Sequence, residues 1–322
     1  MKVLVIQNRI GIGDLFIFLP FICCISRKLN KPVSLLARQN TRAKDLLKDN
    51  PYIKEVITLD RDDKNKSGRH QGFLGTLNLV KDLRAKQFDK SFTFNSSARY
   101  ALITKMAGIA ERHQYPLFQK KHQNIILAAK NFINEHFGQD IGNGPEIIIN
   151  ERKVNEAKNR FNFSPDKLNI VLGVGGSGPT KRVAATKFIA FMDLISSIKK
   201  CNFYLAAGSN ATEQQIIDTI LNSIHKDNCI TLNKMDITET LPVIKNCNLA
   251  VCNDSSFSHI SAALGIKTLV LLTDTPLLYG SYSPNMTPIL PEGLDDVTHD
   301  TLGRDKINPE EIYIKAKKIL NL

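Results

Sequence analysis

The chain contains no tryptophan, and aromatic residues fill only 7% of its 322 positions. Proteins that hold single-stranded nucleic acid stack bases on aromatic rings interleaved with basic residues, and no stretch here has that pattern. Long apolar runs are missing as well. The longest near the start, residues 15–25, follows an aspartate and falls far short of the roughly 20 residues of a membrane-spanning helix. It has neither a basic leader segment nor a small-residue cleavage site, so a secretory signal is not expected. Six cysteines (Cys23, Cys24, Cys201, Cys229, Cys247, Cys252) form no CxxC pair and stand at no metal-ligand spacing from a histidine. They are expected as buried thiols in a reducing cytoplasm.

Acidic residues are short in one half only. Residues 1–150 carry 24 Lys+Arg against 13 Asp+Glu, whereas residues 151–322 carry 19 against 18, out of a formal net charge of +12. A compositional bias of the genome would spread its lysines evenly. A basic first half instead implies an anionic partner, such as an acidic or phosphorylated acceptor, a membrane surface or nucleic acid.

The length suits two domains of roughly 150 residues each. The first opens with a β-branched run, Lys2-Val3-Leu4-Val5-Ile6-Gln7, of the kind buried in parallel sheets. A glycine-punctuated turn and an apolar helix from Leu15 follow, then a strand at residues 33–37, a helix near 41–49 and a strand at 55–59. This alternation predicts an α/β fold with a doubly wound parallel sheet. Residues 60–76 read as a polar, mobile loop, and residues 138–166, with three glycines and two prolines, as the interdomain region. The second half restarts with strands near 169–174, 203–207, 249–252 and 268–272, each followed by a turn and most by a helix. The expected domains are therefore 1–150 and 151–308, with the final helix, 309–322, a candidate to pack back on the first.

Three turns could carry chemistry. Gly11-Ile12-Gly13-Asp14, behind Arg9, follows the first strand; its glycines permit close approach of a ligand, and the helix start favours anions. The third glycine of a dinucleotide fingerprint would fall on Phe16, so this is no GxGxxG. An aspartate here is either a helix N-cap, worth about 1 kcal/mol, or a carboxylate that accepts a proton from an attacking hydroxyl. The second turn, residues 173–182, combines Gly175, Ser177, Thr180, Lys181 and Arg182, a set suited to a diphosphate leaving group. It does not match GxxxxGK[ST], and a solvated basic loop is the plainer reading. The third, Asn253-Asp254-Ser255-Ser256-Phe257-Ser258-His259, gathers hydroxyls, amides and an imidazole at a strand's carboxyl end, where open α/β sheets bind ligands; simple helix capping by Ser255 or Ser256 is the alternative. Gly208, at another strand end, completes the candidate donor set. A serine-hydrolase reading fails for want of GxSxG. Asp60-Arg61-Asp62 is formally a DxD metal motif, but its charged loop context assigns it to solvent, and no metal site is expected.

Together these segments resemble glycosyltransferase family 9, the lipopolysaccharide heptosyltransferase family. The likeness rests on Arg9-x-x-x-Gly13-Asp14 with Leu19-Pro20, on Asn50-Pro51-Tyr52-Ile53-x-Glu55-Val56-Ile57, on Pro179-Thr180-Lys181-Arg182, and on Asn253-Asp254-Ser255-x-x-x-His259-x-x-Ala262-Ala263-x-Gly265. It implies a GT-B architecture, two Rossmann-like domains facing across a cleft, and inverting transfer with neither metal nor cofactor. The co-substrate would be a nucleotide sugar, ADP-linked. By the same resemblance Asp14 is the catalytic base, Lys181 the donor-phosphate lysine, and Asp254 and His259 parts of the donor-site signature. From the turns themselves Arg9, Gly11 and Gly13 are expected on the acceptor side, and Gly175, Ser177, Thr180, Arg182, Gly208, Ser255 and Ser256 on the donor side. The acceptor would be an anionic glycolipid or lipopolysaccharide core, handled in the cytoplasm, with peripheral contact at the inner membrane surface a candidate and no nucleic acid involved. The chain departs from the family pattern at Val183-Ala184, where Trp-Pro is usual, at Ser256 in place of glycine, and at Leu272-Thr273-Asp274-Thr275 in place of a Phe-Gly-x-Thr turn; Thr238-Glu239 stands near the position of the ribose-binding glutamate. Two other readings stay open: a hexose-donor member of the same family, and a non-catalytic Rossmann protein that binds nucleotide or nucleic acid.

Overall fold

The computed structural model describes residues 1–117, 124–138 and 144–322. The chain divides into two compact units, Met1–Pro145 and Glu146–Leu322.

The first unit is built on a five-stranded parallel sheet in the order β3-β2-β1-β4-β5. Its elements are β1 (Val3–Ile6), α1 (Ile12–Lys28), β2 (Val33–Arg38), α2 (Ala43–Leu46), β3 (Ile53–Leu59), α3 (Gly72–Lys86), β4 (Lys90–Thr93), α4 (Ala98–Met106), β5 (Glu111–Gln114) and α5 (Ile125–Phe137). β1 and β2 are buried along their whole length, which is why they read as unbroken apolar runs. The helix expected near residues 41–49 is only the single turn α2, behind a short 3-10 turn.

The loop after β3 is more organised than its polar composition suggests. Asp62 and Ser67 form a β-bridge, and the Asp60 carboxylate accepts from the Arg69 amide at 2.9 Å. Asp63 pairs with Arg38 and Arg61 at 2.5 and 2.7 Å. Arg69 pairs with Asp82 of the following helix at 2.7 Å, and α3 begins already at Gly72.

The second unit has a six-stranded parallel sheet in the order β11-β10-β9-β6-β7-β8. It comprises α6 (Glu151–Arg160), β6 (Leu168–Gly173), α7 (Ala185–Ser196), β7 (Cys201–Ala206), α8 (Ala211–Leu221), β8 (Cys229–Thr231), α9 (Ile237–Lys245), β9 (Leu249–Asn253), α10 (Ser256–Ala263), β10 (Thr268–Leu271), β11 (Met286–Ile289) and α11 (Pro309–Leu320). α6 lies inside the stretch taken from sequence as an interdomain linker. It is mostly polar and buries only Val154 and Ala157. α11 carries Ile312 and Ala316 into the core formed with α7 and so counts with this second unit, whereas the sequence reading offers it to the first. All six cysteines are free; five are buried and Cys229 is half-buried.

In each sheet the winding direction reverses once. In the first unit β1 separates β2 from β4; in the second β6 lies between β9 and β7. Turns beyond the carboxyl ends of strands at such a reversal are the natural ligand sites of open α/β sheets. The turn after β1 leads to Asp14, and those after β6 and β9 hold residues 174–182 and 254–256.

Candidate functional sites in the two units

In the first unit Gly11 precedes α1 with φ +107°, a conformation that a side chain would resist. Gly13 is the second residue of the helix and Asp14 the third, so Asp14 is not the N-cap, and its side chain makes no capping bond. Asp14 is 17% exposed, with Arg9 Nη1 3.8 Å from Oδ1. That oxygen is buried and has no hydrogen-bond partner. Burial pushes the carboxyl up to about 6, with the Arg9 guanidinium acting in the opposite sense. A carboxylate that is ionised near neutrality, poorly solvated and unsatisfied is chemically a base in waiting. A capping aspartate would instead be hydrogen-bonded to backbone amides.

In the second unit two sequence motifs 73 residues apart meet. Lys181 Nζ donates to Asp254 Oδ2 at 2.8 Å. Asp254 Oδ1 lies 3.7 Å from His259 Nε2, and His259 Nδ1 is hydrogen-bonded to Tyr282 Oη at 2.9 Å. Burial holds the His259 imidazole below its ordinary value, opposed by Asp254 and reinforced by the Lys181 ammonium. Lys181 is thus held in place by a buried counter-ion. Ser255 occupies the N-cap position of α10, yet its hydroxyl makes no cap bond and is buried without a partner. The Ser258 amide is taken by the Ser255 carbonyl at 3.2 Å, which leaves the Ser256 and Phe257 amides available to an anion.

The loop between β6 and α7 is fastened at several points. Asn253, fully buried, donates from Nδ2 to the Val174 carbonyl at 2.8 Å and accepts from the Val183 amide at 3.4 Å. Thr273 Oγ1 donates to the Thr180 carbonyl at 2.7 Å, and Arg304 Nη1 to the Pro179 carbonyl at 3.1 Å. The Thr273 hydroxyl, a departure from the family pattern, thus helps to tie the loop, whereas Val183 contributes only its backbone amide. Ser177 is exposed, and Thr180, Lys181 and Arg182 are half-buried along the loop.

A profile of glycosyltransferase family 9 (heptosyltransferase) matches residues 76–295, well over half of the chain. The chain belongs to glycosyltransferase family 9. It is 20% identical over 320 residues to lipopolysaccharide heptosyltransferase 1 of Campylobacter coli, an alignment covering 91% of this chain and 90% of that protein. Its fold matches the crystal structure of the glycosyl transferase family 9 from Veillonella parvula with a TM-score of 0.80 at 19% identity, over 99% of this chain and 97% of that one. The structure of Escherichia coli ADP-heptose lps heptosyltransferase II gives a TM-score of 0.73 at 20% identity, over 100% and 99%. The two parallel-sheet domains are those of a GT-B glycosyltransferase.

Within this family 9 chain one residue of the second site escaped the sequence reading. Glu213, in the first turn of α8, is 5% exposed. Its Oε1 accepts from the Gly176 amide at 3.1 Å and its Oε2 from the Gly208 amide at 2.5 Å. Arg182 Nη1 stands 3.9 Å from Oε1. Two amides on the candidate diphosphate turns are therefore already taken by a carboxylate. The only sequence signal was Asn210-x-x-Glu213, an ordinary capping-box spacing. Glu239, by contrast, is exposed in the first turn of α9. Among the described residues no group of three or more His, Cys, Asp or Glu side chains is arranged to hold a metal, and no helix is long and apolar enough to cross a membrane.

Proposed function

We propose that this glycosyltransferase moves a heptose or related sugar from an ADP-linked donor to an anionic glycolipid or lipopolysaccharide-core acceptor in the cytoplasm, with inversion and without a metal ion. The donor class is supported by the family and by the name of the Escherichia coli relative of the same fold, and the anionic acceptor by the basic first half of the chain.

The observation that carries the mechanism is the state of Asp14, half-buried, with Oδ1 out of solvent and without a hydrogen bond, and with its carboxyl pKa raised to about 6. It accepts the proton of the acceptor hydroxyl as that oxygen attacks the anomeric carbon from the face opposite the diphosphate, so the configuration inverts. The bond from the anomeric carbon to the diphosphate oxygen breaks, and the diphosphate leaves with its electron pair. Lys181 supplies positive charge to that leaving group, with Arg182 on the same loop and the free amides at the start of α10 adding hydrogen-bond donors. Asp254 holds Lys181 in position rather than touching the anion, since like charges would repel. Neutral His259, buttressed by Tyr282, keeps Asp254 in place.

Transfer from ADP-heptose to lipopolysaccharide core isolated from a heptose-deficient strain tests this reading. Asp14→Asn is expected to lower kcat by about 100-fold to 10,000-fold while the fold persists, and EDTA to leave the wild-type rate unchanged. Wild-type turnover by a folded Asp14→Asn protein would remove Asp14 as the base.

A further inference from the structure

The geometry points to Glu213 as a positioning residue for transfer: a buried clamp that sets the shape of the donor loop without touching the donor. This inference rests on the proposed donor role of residues 174–182.

Glu213 follows the N-cap Asn210 by three residues, and its own amide donates to Asn210 Oδ1 at 3.0 Å. Its carboxylate oxygens are used elsewhere. One accepts from Gly208, in the turn after β7, and the other from Gly176, 37 residues earlier in the turn after β6. A single buried carboxylate thus joins the turns of two neighbouring strands. Both bonds are charge-assisted, and the one to Gly176 is buried, although Gly208 itself lies in an exposed turn.

The glycines around it make sense only with the carboxylate present. A Cβ on Gly175 would lie 2.8 Å from Glu213 Oε2, and one on Gly208 would lie 2.9 Å from the same atom. Neither residue has a left-handed backbone, so conformation does not require glycine at either place. The space is reserved for Glu213. These glycines, which the sequence suggests as room for a diphosphate, are room for an internal anion instead. With Gly176 and Gly208 occupied, the charge of a bound diphosphate falls to Lys181, Arg182 and the start of α10. The Glu213 carboxylate, 3.9 Å from Arg182, also biases that guanidinium toward the floor of the loop.

Glutamine is the informative replacement. It fills the same volume but turns one acceptor into a donor that faces an amide N–H, so one glycine loses its partner. The test uses the full-length protein, ADP as the binding probe, and transfer kinetics with ADP-heptose and heptose-deficient lipopolysaccharide core. Glu213→Gln is expected to weaken ADP binding and raise the donor KM by about 10-fold or more, with the acceptor KM unchanged. A merely structural glutamate would lower the melting temperature and leave the donor KM alone, and that result would overturn the proposal. Gly208→Ala is expected to weaken ADP binding in the wild-type background and to add nothing in the Glu213→Ala background, where its methyl group has space. Independent, multiplying effects would also overturn it. The coupling between positions 208 and 213 is read by thermal unfolding without any ligand. Failure of the wild type to bind ADP would therefore sink the donor reading, while that coupling would still decide the clamp.

Discussion

Asp14 carries opposite consequences for stability and for activity. Its carboxyl is raised from 3.8 to about 6, so the folded protein holds this proton more tightly than the unfolded chain does. Below pH 3.8 both states are protonated and nothing is lost. As the pH climbs from there through 6 the folded state is progressively penalised, by about 3 kcal/mol once the group is ionised. Asp14→Asn removes the ionisation, so its melting temperature is expected to match the wild type near pH 4 and to exceed it above pH 6. Thermal unfolding across pH 4 to 8 checks this, and equal melting curves at pH 8 would contradict it. Activity should run the other way, since the base must be ionised, and kcat/KM should rise with pH through a limb near 6. Arg9 holds that limb down, so Arg9→Ala is expected to move it to higher pH. The residue was visible in the sequence, but its state was not. A motif places an aspartate near a helix start, whereas burial and missing partners are properties of everything packed around it.

At the level of elements, Asn253 links a strand to a loop that no local pattern connects. Its side chain bridges the Val174 carbonyl and the Val183 amide from the end of β9, the neighbouring strand. Asn253→Ala strands two buried backbone groups, so a loss of about 2–4 kcal/mol is expected, measurable by urea unfolding. Donor KM should rise as well, because the same loop carries Lys181; a stable variant with unchanged donor KM would show that the loop holds itself. The alternation of strands and helices was legible because buried parallel strands are continuous apolar runs. Of the edge strands only β3 was legible, and β5, β8 and β11 were not. β5 reads Glu111-Arg112-His113-Gln114, and its register against β4 comes from the sheet, not from any apolar alternation of its own. α6 was hidden for a related reason: two buried apolar side chains are too few to show a period.

Across the whole molecule the charge is divided between the halves, with nearly all of the positive excess in residues 1–150. An anionic acceptor drawn by that field should feel salt more than a donor bound, as proposed, at Lys181, whose charge is already paired with Asp254. Raising the salt from about 50 to about 300 mM shortens the Debye length from about 14 to about 6 Å. The acceptor KM is expected to rise severalfold over that range while the donor KM changes little. Steady-state kinetics with each substrate varied in turn would show it, and equal salt responses would argue against an electrostatic acceptor face.

Family, reaction class and the residues at strand ends could all be reached from the order and spacing of residues, because those depend on neighbours along the chain. Asp14, Lys181, Asp254 and His259 were visible in this way. What only the tertiary structure decided is who partners whom. Asp14 is a half-buried acid whose Oδ1 lacks a hydrogen bond, and not a cap; Lys181 is paired with Asp254; and the Glu213 carboxylate lies against the glycines at 175 and 208. Each of these depends on groups many positions apart brought within a few ångströms, where desolvation and close contact, absent from the extended chain, set the chemistry.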